Sequence, residues 1–261
     1  MKPIALITGA SSGIGMELAR VFATHGHELV LVARRRDRLD GLAVEIAAAG
    51  RPRPTVLTVD LERREGATAI AAELAARDLE PAFVVNNAGF GLSGAAAALS
   101  RDEQLGMIDL NVRALTELSL MFIDRLARHR GGILNVASIA AFLPGPGMAV
   151  YYATKAYVLS FSEALHHELL DRGIRVTALA PGPVPTEFQA RSQMQQLPAA
   201  ARAVELPPDR VAQIGYDGLM RGKRVVVAGT GNKIALSLLR FVPNGLLLRL
   251  VDQRARPARG E

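Results

Sequence analysis

Tyr151 and Lys155 stand four residues apart in a stretch with helical patterning, so both side chains leave the same helix face. A phenol with a pKa near 10 is a poor acid or base at neutral pH. An ammonium beside it, together with the positive charge of a bound oxidised cofactor, favours the phenolate and draws that pKa down. A tyrosine so placed can protonate a developing alkoxide, or take the proton of an alcohol in the reverse direction. The adjacent Tyr152 has Ala156 where a lysine would have to stand, which singles out Tyr151. Ser138, at the end of an apolar run, offers a hydroxyl to hold a substrate oxygen. Taken singly, a Tyr/Lys pair at helical spacing is a minor surface contact and a lone serine is a cap. Ser138, Tyr151 and Lys155 together carry the catalytic reading.

A second stretch with chemical content is Thr8-Gly9-Ala10-Ser11-Ser12-Gly13-Ile14-Gly15. Its glycines permit a tight turn and close approach of the backbone to a pyrophosphate, and the helix that follows presents free N–H groups to the anion. Gly9, Ser11, Ser12, Gly13, Ile14 and Gly15 are the candidate contacts. Enzymes that select NAD place an acid at the end of the second strand to hold the ribose 2′-hydroxyl. Here Ala33 is followed by Arg34-Arg35-Arg36. A guanidinium pairs with a 2′-phosphate, so this turn points to NADP(H), with Arg34 the first choice for the contact and Arg35 the second. The bland alternative is a solvated basic turn.

These groups need a scaffold, and the hydrophobic pattern supplies one. Short β-branched runs at residues 4–8, 29–33, 55–60, 82–86, 132–138, 175–180 and 224–228 read as strands. Helical patterns at 14–25, 38–49, 66–77, 102–129 and 152–172 lie between them. Such alternation predicts an α/β fold: one Rossmann-like, doubly wound domain with a parallel sheet of about seven strands and helices on both faces. Residues 1–230 form the catalytic domain, including a mobile lid at about 183–207 that is rich in Pro and Gln. Residues 231–261 are a basic amphipathic extension.

The octapeptide at 8–15 resembles the glycine motif of the classical short-chain dehydrogenase/reductase family. Further matches follow in order: Asp60 after the third strand, Asn86-Asn87-Ala88-Gly89 after the fourth, Asn111, Ser138, Tyr151 with Lys155, and Pro181-Gly182 with Thr186. The resemblance is strong over residues 4–186 and loose beyond. It implies an oxidoreductase that transfers a hydride between the nicotinamide of NADP(H) and a carbonyl or secondary alcohol. It also implies that Asp60 meets the adenine edge, that Asn87, Ala88 and Gly89 line the ribose, and that Thr186 touches the nicotinamide or pyrophosphate. Leu61, Pro181, Gly182 and Val184 complete the cofactor set, Lys155 binds the nicotinamide ribose beside Tyr151, and Asn111 keeps a water linking Lys155 to solvent. The residues by themselves leave Asp60 open as a helix cap and the asparagines as turn formers.

Phe142 and Phe188, with Met194 and Leu197 of the lid, predict an apolar pocket for a ketone, an aldehyde or a 3-oxoacyl group. A non-catalytic NADP(H)-sensing regulator on the same fold is the alternative, since fold does not fix function. The resemblance further implies a homodimer or homotetramer joined through the helices at 102–129 and 152–172. Leu115, Leu118, Met121, Phe122, Leu159 and Phe161 are the apolar candidates for that interface, unless they face their own sheet.

Composition narrows the rest. The chain has 261 residues, no cysteine and a formal charge of +6. Without cysteine there is no disulfide or thiolate chemistry, and five scattered histidines show no metal-site spacing, so no metal is expected. Six Lys/Arg against two acids lie in residues 231–261, leaving the domain nearly neutral, so no nucleic-acid partner is expected. The apolar start stops at Thr8 before a glycine turn and does not read as a signal peptide. Arg240, Pro243, Asn244, Gly245 and Arg249 interrupt the apolar tail, so no span is expected and the location expected is cytoplasmic. The tail pattern, with an N-cap at Asn232 and a further apolar run at 246–251, suits packing on protein, or less often peripheral contact with a membrane.

Overall fold

The computed structural model describes residues 1–191, 204–239, 242, 245 and 248. Among them the strands are β1 (Lys2–Thr8), β2 (Leu29–Ala33), β3 (Thr55–Thr58), β4 (Leu79–Asn86), β5 (Gly132–Val136), β6 (Arg175–Ala180) and β7 (Val225–Val227). They form one seven-stranded sheet in the order β3-β2-β1-β4-β5-β6-β7, with every pairing parallel. The helices that follow the first strands are α1 (Gly13–Thr24), α2 (Arg36–Ala48) and α3 (Gly66–Ala76). Further on come α4 (Arg101–Ile108), α5 (Leu115–Met121), α6 (Ile123–Arg128), α7 (Ala149–Glu168), α8 (Glu187–Arg191), α9 (Pro208–Met220) and α10 (Thr230–Leu239).

Alternate residues of each central strand feed opposite cores, as the period-two geometry of a strand requires. Ile4 and Leu6 of β1 join one core, with Ile70, Leu74, Met107, Phe122 and Leu165. Ala5 and Ile7 join the other, with Leu18, Phe22, Leu42, Val211 and Leu219. Helices α1, α2 and α9 thus cover one face and α3 to α7 the other. This is the doubly wound arrangement, with both faces of a parallel sheet out of water.

Two elements depart from the sequence pattern. Strand β4 begins at Leu79, three residues before the apolar run, because Glu80 and Pro81 hide its start. The register slips between Ile4/Pro81 and Ala5/Phe83, which leaves Ala82 as the extra residue beside a proline that has no N–H to pair. Glu80 is buried and pairs with Arg128 and with His129, whose Nε2 lies 3.0 Å from Oε2. The second departure is the expected helix over 102–129. It is broken into α4, a π-turn at Asp109–Ala114, α5 and α6. Leu110, Ala114, Leu118, Phe122 and Leu126 are all buried, at a constant spacing of four. At about 100° per residue, an unbroken α-helix would carry that row roughly 160° around its axis by Leu126. The wider turn and the break at Phe122 absorb the drift.

Leu115, Leu118, Phe122 and Leu159 are buried within their own chain, so they belong to the core and not to an interface. Met121 and Phe161 are partly buried against the same cores. The apolar side chains that do reach the surface on these segments include Leu105, Ile108, Leu120, Tyr157 and Leu170. Helix α10 starts at Thr230, and Asn232 lies inside its first turn instead of capping it, donating from Nδ2 to the Ala228 carbonyl at 2.8 Å. Among the described residues no helix is long and apolar enough to cross a membrane. The expected run at 246–251 falls largely outside them.

Phe22 is fully buried and meets Tyr216 at 4.9 Å and Phe83 at 5.7 Å, both edge-on. Phe22→Ala should lower the unfolding free energy by about 3–5 kcal/mol in urea titrations. A loss below about 1 kcal/mol would contradict the packing of α1 and α9 on this face.

Candidate active site

The strand order reverses between β1 and β4, and a crevice opens there at the carboxyl ends of the strands, where doubly wound folds bind ligands. The cleft encloses about 1150 Å³. Its floor is the turn between β1 and α1. Gly9 and Gly13 have φ of +65° and +56°, a region that strains any side chain. A Cβ on Gly9 would stand 2.7 Å from Asn87 Nδ2, and one on Gly15 would stand 2.4 Å from the Gly9 carbonyl oxygen. Gly9, Ser11, Ser12, Gly13 and Ile14 line the cleft, whereas Gly15 is buried behind it. Ser12, at the N-cap of α1, makes no capping hydrogen bond to the helix, and the first turn holds no acid, so the helix N-terminus keeps its positive character. A cradle of bare backbone N–H groups fits a pyrophosphate.

The strand ends are tied together around that turn. Thr8 Oγ1 accepts from the Asn87 and Ala88 amides at 3.0 and 3.1 Å and donates to the Val85 carbonyl at 3.2 Å. Asn87 Nδ2 donates to the Thr8 and Gly9 carbonyls at 3.1 and 3.2 Å. Asn87, Ala88 and Gly89 border the cleft beyond. Asp60 and Leu61 border it on the β3 side, where Asp60 Oδ1 also accepts from the Glu62 amide at 3.0 Å. Asp60 is therefore a turn former and a cleft residue at once.

Arg34 and Arg35 both line the cleft, and each is held by a carboxylate that sequence spacing does not reveal. Arg34 Nη1 donates to Glu62 Oε1 at 2.8 Å. Arg35 Nη1 donates to Glu187 Oε2 at 2.7 Å, and its Nη2 donates to Ser11 Oγ at 3.2 Å. Of the two arginines, Arg35 is the one that reaches the glycine turn.

At the other end of the cleft stand Ser138, Tyr151 and Lys155. Lys155 Nζ donates to the Val136 carbonyl at 2.8 Å and lies 5.9 Å from the centre of the Tyr151 ring. Ser138 Oγ accepts from the Ala140 amide at 3.1 Å, and Ser138 and Tyr151 both line this end of the cleft. Burial drives both pKa values. It pushes Tyr151 up to about 12, against the opposing pull of the nearby Ser138 hydroxyl. It pulls Lys155 down to about 8. The expected lowering of Tyr151 by an adjacent ammonium is thus reversed in the protein alone: desolvation outweighs charge attraction when both groups leave water.

Asn111 sits in the π-turn and is buried behind the cleft wall. Its Nδ2 donates to the Phe90 carbonyl at 2.9 Å and to Thr154 Oγ1 at 3.1 Å, and its Oδ1 accepts from the Phe90 amide at 3.1 Å. A Cβ on Gly89 would lie 2.9 Å from Asn111 Oδ1 and 3.7 Å from Lys155 Nζ, so the two side chains approach each other across a bare glycine.

Pro181, Gly182, Val184 and Thr186 follow β6 and line the cleft. Thr186 rests on the glycine turn, its Cγ2 lying 3.0 Å from where a Cβ on Gly13 would stand. The first part of the expected lid is α8, which carries Phe188 over the tyrosine with ring centres 5.4 Å apart. Phe142 does not line the cleft as expected, because the 3₁₀ turn after Ser138 leaves it 39% exposed. Leu143 and Met148 take the apolar wall beside it, and Leu239 of α10 closes another side. Leu239 belongs to the apolar pattern of the tail helix, whose Asn232 packs against Gly182. Met194 and Leu197 lie outside the described residues.

A family model described as short chain dehydrogenase matches residues 3–197. The chain belongs to the short-chain dehydrogenase family. It is 37% identical to sulfoacetaldehyde reductase 2 of Chromohalobacter salexigens over 72% of this chain and 75% of that one. A solved short-chain dehydrogenase from Sphingobium yanoikuyae, in complex with NADPH, is 32% identical and superposes with a TM-score of 0.79 over 100% of this chain and 99% of that one. The bulky-bulky ketone specific alcohol dehydrogenase from Comamonas testosteroni is 30% identical, with a TM-score of 0.76 over 100% and 97%.

The buried lysine has a consequence for stability. Its pKa is depressed from 10.5 to about 8, so the unfolded chain holds the extra proton between those limits, and stability rises with pH across that window. The cost of burying the ammonium is fully present below pH 8. Lys155→Met should therefore raise the unfolding free energy of the free protein at pH 7 by about 1–3 kcal/mol, with the gain shrinking toward pH 10.5. Thermal melts at both pH values check this. An unchanged or lower melting temperature at pH 7 would contradict it.

Proposed function

We propose that this protein interconverts carbonyl and secondary-alcohol substrates with Tyr151 as the general acid/base. It is an NADP(H)-dependent oxidoreductase of the short-chain dehydrogenase family, acting on CH–OH groups. The observation that carries the catalytic reading is the buried Tyr151 with Ser138 beside it and Lys155 one helical turn on, at one end of a cleft whose other end is the glycine turn. The residues fit the cofactor: the N-terminus of α1 would hold its pyrophosphate, Arg34 and Arg35 its 2′-phosphate, and Asp60 with Leu61 its adenine. Lys155, Thr186 and the 181–184 turn would hold the nicotinamide end. The bound nicotinamide supplies or takes the hydride at carbon.

Ser138 holds the substrate oxygen through its hydroxyl. In reduction, Tyr151 Oη gives its proton to the oxygen as negative charge develops there, and the phenolate left behind regains a proton from solvent by way of the Lys155 side. In oxidation the phenolate takes the alcohol proton. A pKa held up to about 12 keeps Tyr151 a proton donor in the protein alone, and the phenolate that oxidation uses would be favoured by positive charge brought beside it. Phe188, Leu143, Met148 and Leu239 give the substrate end an apolar lining, which supports a ketone, an aldehyde or a 3-oxoacyl group over a small diacid. The exposed Leu120 and Tyr157 on α5 and α7 support a homodimer or homotetramer.

A carbonyl panel with NADPH, followed by absorbance, tests this reading. Tyr151→Phe should reduce turnover by about 10²–10⁴-fold while NADPH affinity stays close to wild type. Tyr152→Phe should lose far less, because its ring stands against Gly145 and no lysine lies one turn on. An active Tyr151→Phe beside an inactive Tyr152→Phe would overturn the assignment.

A further inference from the structure

The sequence has no acid at the end of β2, yet the fold brings one there from a distance of 152 residues. Glu187 opens α8, directly after the Thr186 that rests on the glycine turn. Its carboxylate accepts from Arg35 at 2.7 Å and lies 3.8 Å from Arg38 Nη2. The other arm of Arg35 reaches Ser11. The Arg35 hydrogen bond, aided by the charges of Arg35 and Arg38, holds the Glu187 carboxyl below the usual carboxylate range. Two guanidinium groups and the Ser11 hydroxyl at the mouth of a dinucleotide cleft make an anion site. In the free protein the chain's own carboxylate fills it.

We infer that Glu187 is a specificity-determining residue for the cofactor: its carboxylate occupies Arg35 and competes there with the 2′-phosphate of NADP(H). The inference rests on the cofactor reading given above. A phosphate monoester and a carboxylate both ask for the same forked N–H donors of Arg35, and two anions brought to one guanidinium repel each other. The 2′-hydroxyl of NADH carries no charge and leaves the ion pair in place. Glu187 therefore weakens NADP(H) binding selectively and narrows the preference that the arginine turn creates. Arg34 is different, because its partner Glu62 comes from the β3 loop and stands outside this contact.

The pair is about half exposed on both sides, so the effect is modest. Equilibrium titration of the full chain with NADPH and with NADH tests it. Glu187→Gln should tighten NADPH about two- to fivefold and leave NADH unchanged, with the gain fading at high salt. In an Arg35→Ala background the same substitution should have no effect on either cofactor. A wild-type preference for NADPH that Glu187→Gln leaves untouched, or an equal change for both cofactors, overturns the inference alone. Equal wild-type affinities for the two cofactors would remove the cofactor reading and the inference with it.

Discussion

Two ionisable side chains one helical turn apart, Tyr151 and Lys155, are buried together against the carboxyl edge of a parallel sheet, and the site depends on that burial. Desolvation keeps the phenol protonated and loosens the proton on the amine. Both shifts move away from a phenolate–ammonium pair and toward a neutral one. The protein alone therefore stores a proton donor and a weakened ammonium, poised for a ligand that brings its own charge. The scaffold exists to hold this state: α7 carries both residues, β5 supplies the Val136 carbonyl that takes the Lys155 hydrogen bond, and the turn after β5 sets Ser138 against the phenol.

The opposite end of the cleft is governed by exposed charge. There the ion pairs of Arg34 and Arg35 stand in water, where each contributes little to folding. Their interest lies in what they present to an incoming anion. In the proposed reading the backbone turn would receive a pyrophosphate with fixed N–H groups, while Arg34 and Arg35, already paired with carboxylates, would have to exchange partners. A rigid binding surface and an exchangeable one thus sit side by side in one cleft.

Much of this was legible in the sequence, for identifiable reasons. Strands β2 and β6 match their expected limits, and β2 does so as an uninterrupted apolar run between Glu28 and Arg34, as a strand buried on both faces requires. The glycine turn and the Tyr/Lys spacing are local patterns, and local patterns survive translation into structure. The broken helix around Asn111 was hidden because a burial row at every fourth residue looks helical until its drift is followed. Phe142 was misplaced by assuming that an apolar residue near the site must face it. Glu62 and Glu187 could not be found at all, since long-range ion pairs leave no mark on spacing. The rise of the Tyr151 pKa in the free protein was hidden for a related reason: charge proximity can be read from a sequence, whereas the depth of burial cannot.

The claim that burial governs this pair has a direct test. The chain contains four lysines, Lys2, Lys155, Lys223 and Lys233, so ¹⁵N-labelled lysine gives few signals to resolve, and Lys155→Met assigns the one in question. A pH titration of these amines in the free protein should show Lys155 losing its proton near pH 8. A midpoint for Lys155 at or above 10.5 would contradict the account, because the lysine would then be a fixed ammonium beside Tyr151 and charge would prevail over desolvation at the centre of the site.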